Sequence, residues 1–366
     1  MQELELSGYD YVRSIREWDI DPWVASSLMQ KAIRRGEVEL SIRAAEKLHI
    51  LRGSRIFHRL AVVACEDIGI AAPDIVVEVV AACSDPVLRG HAGGDSRVLR
   101  HLVGRLAASP KDRSADLLAS IVHHCPQLAG VRQEMAARTM EDRIATAADP
   151  ARDFYERAVA AWFASGVEWG RERRVGGGDV LALLRGMRDA GVPERWCVTV
   201  RRAIKLAREP LFVMLLLLGG ETVCTTQIRM TEPPEAKLCG GVPSYAYDKH
   251  TRLGLQALKR FAKENEAVAA VLNEHVADFR GMAALNIAAF YTDGALVDVR
   301  LDWLRSDEIE QRGICSDIMQ AGAPPFGVAP LREVIASNLA HLNQIRADLI
   351  QRARKDRGDA GGPYLG

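Results

Sequence analysis

The sequence predicts an all-α protein, a multi-helix bundle or a set of stacked helical hairpins with at most one short β-hairpin. Apolar residues recur at spacings of three, four and seven through most of the chain, the signature of amphipathic helices. Alternation of period two is confined to one stretch, where Val297, Val299, Leu301 and Trp303 interleave with Asp298, Arg300 and Asp302. Between the periodic segments the Gly- and Pro-rich breaks are short.

In order along the chain, Asp21-Pro22 opens the first clear helix, with proline at a position whose missing N–H costs nothing. Its apolar face is Val24, Leu28, Met29, Ala32 and Ile33, and Leu40, Ala44, Ala45, Leu48 and Leu51 form a second face. Ile75 to Val80 is β-branched, yet its helical surroundings favour a buried helix. Val98 to Leu106 and Leu117 to Cys125 continue the pattern, and Asp149-Pro150 repeats the start signal. Further helices are expected over 152–169, 179–190, 194–208, 251–263, 266–276, 278–291 and 329–356. The densest break, 231–243, divides a helical region at 1–230 from a second at 231–357, the two packing as one unit or as two. Residues 358–366 read as a frayed tail.

The chain has 366 residues, 48 Lys+Arg and 48 Asp+Glu. A neutral chain has no global electrostatic grip on nucleic acid or anionic lipid, so any such contact rests on local patches. Seven cysteines without a C-x-x-C pair fit reduced, buried thiols in a cytoplasmic protein, with no disulfide framework and no metal site. The longest wholly apolar run, Leu211 to Leu218, is far short of the ~20 residues that span a bilayer.

Two segments carry the most distinctive chemistry. The first runs from Ser27 through Gln30-Lys31-Ala32-Ile33-Arg34-Arg35-Gly36 to Ala64-Cys65-Glu66-Asp67-Ile68-Gly69. Lys31, Arg34 and Arg35 are expected on the polar side of an amphipathic helix. Glu66 and Asp67 end an apolar helix, where carboxylates oppose the negative pole of the helix dipole unless cations join them. Arg34, Arg35 or Arg59, or the N-terminus of the next helix, are the expected partners, most simply in a buried ion pair that fixes helix packing. The second segment is Pro243-Ser244-Tyr245-Ala246-Tyr247-Asp248-Lys249-His250-Thr251. Asp248 reads as an N-cap with His250 in the first turn. Asp248, His250 and Thr251 also belong to a candidate pocket or acid/base group.

These two segments, over 23–74 and 242–254, resemble the C-terminal helical region of the RarA/MgsA family of replication-associated AAA+ ATPases. The resemblance implies an oligomer-forming helical collar. The chain contains no G-x-x-x-x-G-K-[ST] and no Gly-Lys dipeptide at all, so family-type nucleotide hydrolysis is not expected of it. The function this suggests is a non-catalytic, oligomerising accessory protein of DNA replication, repair or mobile-element maintenance, with no cofactor. Its expected partners are a second copy of itself, DNA, and an AAA+ ATPase or replication protein. The alternatives are an enzyme whose acid/base pocket is formed by Glu66, Asp67, Asp248 and His250, and a helical scaffold for an ATPase supplied in trans.

Three further features bear on these choices. Helices expected on either side of Ala190-Gly191-Val192-Pro193 outline a helix-turn-helix, and 171–209 holds ten Lys/Arg against five Asp/Glu. Arg171, Arg173, Arg174, Arg195, Arg201, Arg202 and Lys205 are therefore candidate nucleic-acid contacts, suited to phosphate more than to base reading. An ordinary hairpin with a solvated basic face is the plainer account. His123 and His124 are adjacent on a helix and diverge too far to hold one metal easily. Gly176-Gly177-Gly178 precedes Asp179, which takes the N-cap and repels an anion, so a connector is expected there.

Overall fold

The computed structural model describes residues 8–168, 177–221 and 227–356. Within them α-helices follow one another from Gly8–Glu17 to Leu339–Lys355. Strands amount to two antiparallel pairs. Gln227–Met230 pairs with Val299–Asp302, and Leu238–Cys239 pairs with Val242–Pro243. The expected alternating strand is thus present, but its partner lies about seventy residues upstream, so that pair is not a hairpin. The second, minimal pair has no counterpart in the sequence pattern.

One apolar core extends from Trp18 to Ile350 and takes side chains from both sides of 231–243. Helix Leu211–Gly220, the longest apolar run, sits wholly within it from Leu211 to Leu218. No helix among the described residues is long and apolar enough to cross a membrane. The cysteines described are free, and all but the half-buried Cys315 are buried.

Helix Pro22–Arg34 begins as expected: the Asp21 carboxylate accepts from the backbone N–H groups of Trp23 and Val24. It packs along Val38–Arg52. The Asp149-Pro150 signal misplaces its helix by a few residues, because Asp153 is the residue that caps Phe154–Ser165. The long C-terminal helix is two, Val328–Ser337 and Leu339–Lys355, broken at Asn338, whose side chain bonds back to Val334 O.

Two departures from regular helix matter for the site. Ile56–Val63 widens into a π-turn at Ala64–Ile68, and Gly281–Ala289 does the same at Phe290–Gly294. π-turns are rare and concentrate at functional positions. Here one carries Glu66 and Asp67, and the other carries Tyr291 and Asp293. Gly69 closes the first with φ +50°, and a Cβ there would stand 2.7 Å from the carbonyl oxygen of Asp112.

Candidate functional site

The helix Pro22–Arg34 presents more than the apolar stripe read from its sequence. Gln30, Lys31 and Arg34 are buried as well, so the cations expected on a solvated face lie inside the protein. Buried charges require partners, and each has one. Arg34 Nε is 2.7 Å from Asp67 Oδ1, its Nη2 is 2.8 Å from Glu66 Oε1, and its Nη1 donates to Gly294 O at 2.8 Å. Gln30 donates to Asp67 Oδ2 at 2.9 Å. Arg113, from a loop ahead of helix Ser114–His124, adds a second guanidinium 3.1 Å from Asp67 Oδ1. Cations therefore gather where the helix dipole demands them. Arg59 stands at 3.8 Å from Glu66, whereas Arg35 turns away to Asp293 at 3.1 Å and stacks over Tyr245.

Lys31 Nζ lies 2.9 Å from Asp248 Oδ2, and Ser27 donates to Ala246 O at 2.7 Å, so the two distinctive segments meet. The N-cap expectation for Asp248 is corrected. Thr251 caps helix Arg252–Glu264 by accepting from Gly254 N–H, while Asp248 accepts from the His250 backbone N–H and lies 2.9 Å from the His250 ring Nδ1. Asp248 is buried with a cation at hand, which fits a charge partner better than a cap. His250 stays exposed at the surface.

These groups surround a cavity of about 440 Å³ whose lining includes Lys31, Arg34, Glu66 and His250. Glu66 and His250, one from each segment, thus face one space. Asp67 and Asp248 sit behind the wall, each engaged by cations.

The sequence did not single out the remaining wall. Asp116 and Ser120, four apart on Ser114–His124, share one helix face and both line the cavity. Asp317 reaches it from Ser306–Gln320, which packs closely on Ser114–His124. Gly313 permits that approach, since a Cβ there would fall 2.7 Å from Leu117 Cβ. Tyr291, on the second π-turn, donates its hydroxyl to Asp317 and lines the same space. Lys249 rests over the Phe290 ring at 4.7 Å. It is the lining cation without an ion pair among the described residues; Lys31, Arg34, Arg59 and Arg113 each have one.

Their environments drive the two carboxyls apart. Burial raises Asp116, the neighbouring Glu66 and Asp317 charges raise it further, and it reaches about 7 despite Arg113. Burial alone would raise Glu66 too, but Arg34, Arg59 and Arg113 outweigh it and hold Glu66 at about 2. Burial opposes the Asp248 charge, yet Lys31 and His250 hold that carboxyl well below the usual range. Burial also pulls Lys249 below an ordinary lysine. The cavity therefore combines a carboxyl that exchanges its proton near neutrality with a fixed carboxylate, a pattern typical of acid/base sites.

The candidate nucleic-acid residues lie elsewhere. Arg171, Arg173 and Arg174 lie outside the described residues. Helix Glu194–Ala207 packs Trp196, Val200 and Ala203 inward against Pro73–Ser84 and Leu211–Gly220. Arg201, Arg202 and Lys205 are exposed on its outer side, and Arg195 pairs with Asp74 at 3.4 Å. His123 is buried 3.8 Å from the Trp162 ring. No group of three or more His, Cys, Asp or Glu side chains is arranged to hold a metal ion among the described residues.

Comparison of the chain with known protein families, with curated proteins and with solved structures finds no match to any of them.

Proposed function

We propose that the protein binds a small anionic molecule in the Glu66–His250 cavity and exchanges a proton with it through Asp116. The observation that carries this reading is the convergence of Glu66 and His250, from distant segments, with Asp116 and Asp317 around one space. Lys249 supplies an uncommitted cation for the anion. Asp116 supplies a proton carrier poised near neutrality, the condition for general acid–base work. The pocket extends beyond the four residues that the sequence suggests: Asp67 and Asp248 serve as its structural backing, and Asp116, Asp317, Tyr291 and Lys249 join its working wall. Thermal-shift measurements with a panel of mononucleotides, sugar phosphates and amino acids test it. At least one compound should stabilise the native chain and lose that effect in K249M, whereas D116N should still bind it but without the proton uptake or release near neutral pH that the native chain shows. A panel that stabilises neither the native chain nor the variants, or stabilises all three equally, overturns the reading.

A second reading is the non-catalytic accessory role: an oligomerising, collar-like protein of DNA replication, repair or mobile-element maintenance, working with DNA or with an AAA+ ATPase or replication protein. Its support is that Lys31–Asp248 ties the two collar-like segments into one structural unit and that Arg201, Arg202 and Lys205 form an exposed basic face. Light scattering combined with DNA binding across a salt series tests it. A monomer at all concentrations with no salt-dependent DNA affinity would remove it.

A further inference from the structure

Behind Arg113 and Tyr291, which line both spaces, lies a second cavity of about 160 Å³. A cavity of ~150 Å³ accommodates a molecule the size of benzene. Much of its wall is apolar, formed by Leu117, Ala295, Leu296, Val297, Leu301 and Ile314. Most of its charged lining is already committed within the fold. Lys111 Nζ is 3.1 Å from Asp298 and donates to Ala107 O, Asp112 accepts from Ser114 and Trp303, and Arg300 pairs with Asp307 and Glu310.

Arg332 is different. It stands on helix Val328–Ser337, lines the cavity, and forms no ion pair among the described residues. Its Nε–H is shut away from water and meets no acceptor among the described residues. A buried donor without a partner is costly, and native proteins seldom leave one unless something else completes it. Two further lining charges have no ion pair among the described residues: Asp112, whose carboxylate is taken up by Ser114 and Trp303, and Glu232, which is exposed and cannot serve a buried donor.

We propose that this cavity is a subsite for a small carboxylate with an apolar body, its carboxylate received by the Arg332 guanidinium and its body by the Leu296–Leu301–Ile314 wall. The planar guanidinium fork matches a carboxylate with two parallel N–H···O bonds. An inorganic phosphate fits less well: it would bring a second charge that no spare cation meets, against apolar walls and near Glu232.

The probe is 4-methylpentanoate, titrated into the full chain and followed by calorimetry, with 4-methylpentanamide and inorganic phosphate as comparators. The carboxylate should bind saturably. The amide should bind roughly tenfold or more weakly, the loss of a charge-assisted hydrogen bond. R332M should reduce carboxylate affinity to the level of the amide, R332K should fall between, and K249M, in the neighbouring cavity and away from this one, should bind as the native chain does. Equal affinity for carboxylate and amide overturns the proposal without recourse to any variant. So do tighter binding of phosphate, undiminished binding by R332M, or no saturable binding of the carboxylate at millimolar concentration. The K249M arm separates failure here from failure of the larger cavity.

Discussion

Lys31 Nζ and Asp248 Oδ2 meet at 2.9 Å with both side chains sealed from water, and this pair joins helix Pro22–Arg34 to the turn that presents Lys249 and His250. Removing either partner leaves the other buried and uncompensated, which typically costs ~3–5 kcal/mol. K31M and D248N should each lose stability on that order, as measured by urea denaturation. The double variant should lose less than the sum of the two, because neither charge is then stranded. Strictly additive losses would show that the pair does not act as a unit.

Arg34 makes a stricter demand. Its fork serves Asp67, Glu66 and the carbonyl of Gly294 at once, and a lysine ammonium cannot reproduce that geometry. R34K should therefore cost ~2 kcal/mol or more despite keeping the charge, since hydrogen bonds to charged groups contribute ~1.5–3 kcal/mol each. Glu66 shares the consequence. Held at about 2, below its ordinary 4.5, it contributes stability that is present above about pH 4.5 and lost as the pH falls toward 2. In E66Q that part of the acid-unfolding slope should vanish; an unchanged acid limb would refute the assignment.

Asp116 carries the opposite sign. A carboxyl that keeps its proton to about pH 7 when folded, against an ordinary 3.8, binds more protons in the native state than in the unfolded chain. Its contribution to stability is fully present below about pH 4 and is lost as the pH rises through 7. Each tenfold difference in proton affinity between the folded and unfolded chain is worth ~1.4 kcal/mol, so the loss is bounded at ~4 kcal/mol. D116N should match or fall below the native chain at pH 4.5 and exceed it at pH 8. Carboxyl carbon resonances followed by NMR should show one aspartate with a midpoint close to neutrality. If every aspartate titrates below pH 5, this reading of the cavity fails.

Helix content was legible in the sequence because apolar spacing survives wherever a helix packs on one side. Lys31 and Arg34 show where that reasoning stops. They lie off the apolar stripe, and periodicity assigns such positions to solvent, whereas this helix is enclosed on further sides by 246–248 and 293–294. The π-turns were invisible for a related reason: each breaks the 3.6-residue phase just where Glu66, Asp67, Tyr291 and Asp293 occur. The cation requirement at Glu66-Asp67 could be read, because a helix C-terminus disfavours carboxylates regardless of tertiary context. Asp116 and Asp317 had no local signal. Each is an ordinary polar residue on an amphipathic helix, and their meeting depends on the contact at Gly313 and Leu117, two hundred residues apart. The nearest hint was Gly313 itself, a poor helix former inside a fifteen-residue helix.

Gly254 gives the sharpest test of how tightly the second segment is set. It lies in the first turn of helix Arg252–Glu264, where alanine would ordinarily be the better helix former. A Cβ at this position, however, would stand 2.0 Å from the carbonyl oxygen of Asp248 and 2.6 Å from both the Asp248 carbonyl carbon and its amide nitrogen. The obstacle is backbone, and the 248–251 turn is closed by the hydrogen bond from Thr251 N–H to Asp248 O, so it has little freedom to retreat. G254A should thus destabilise by ~2–3 kcal/mol or more, against the ~1 kcal/mol gain that propensity alone predicts. The displacement also has a direction. Moving Asp248 away from the helix alters its distance from Lys31 and carries Lys249 and His250 with it. G254A should therefore weaken any ligand response of the larger cavity while leaving 4-methylpentanoate binding behind Tyr291 intact. A stable G254A protein would mean that the turn moves freely, and the rigid link between Lys31, Asp248 and the cavity mouth would have to be abandoned.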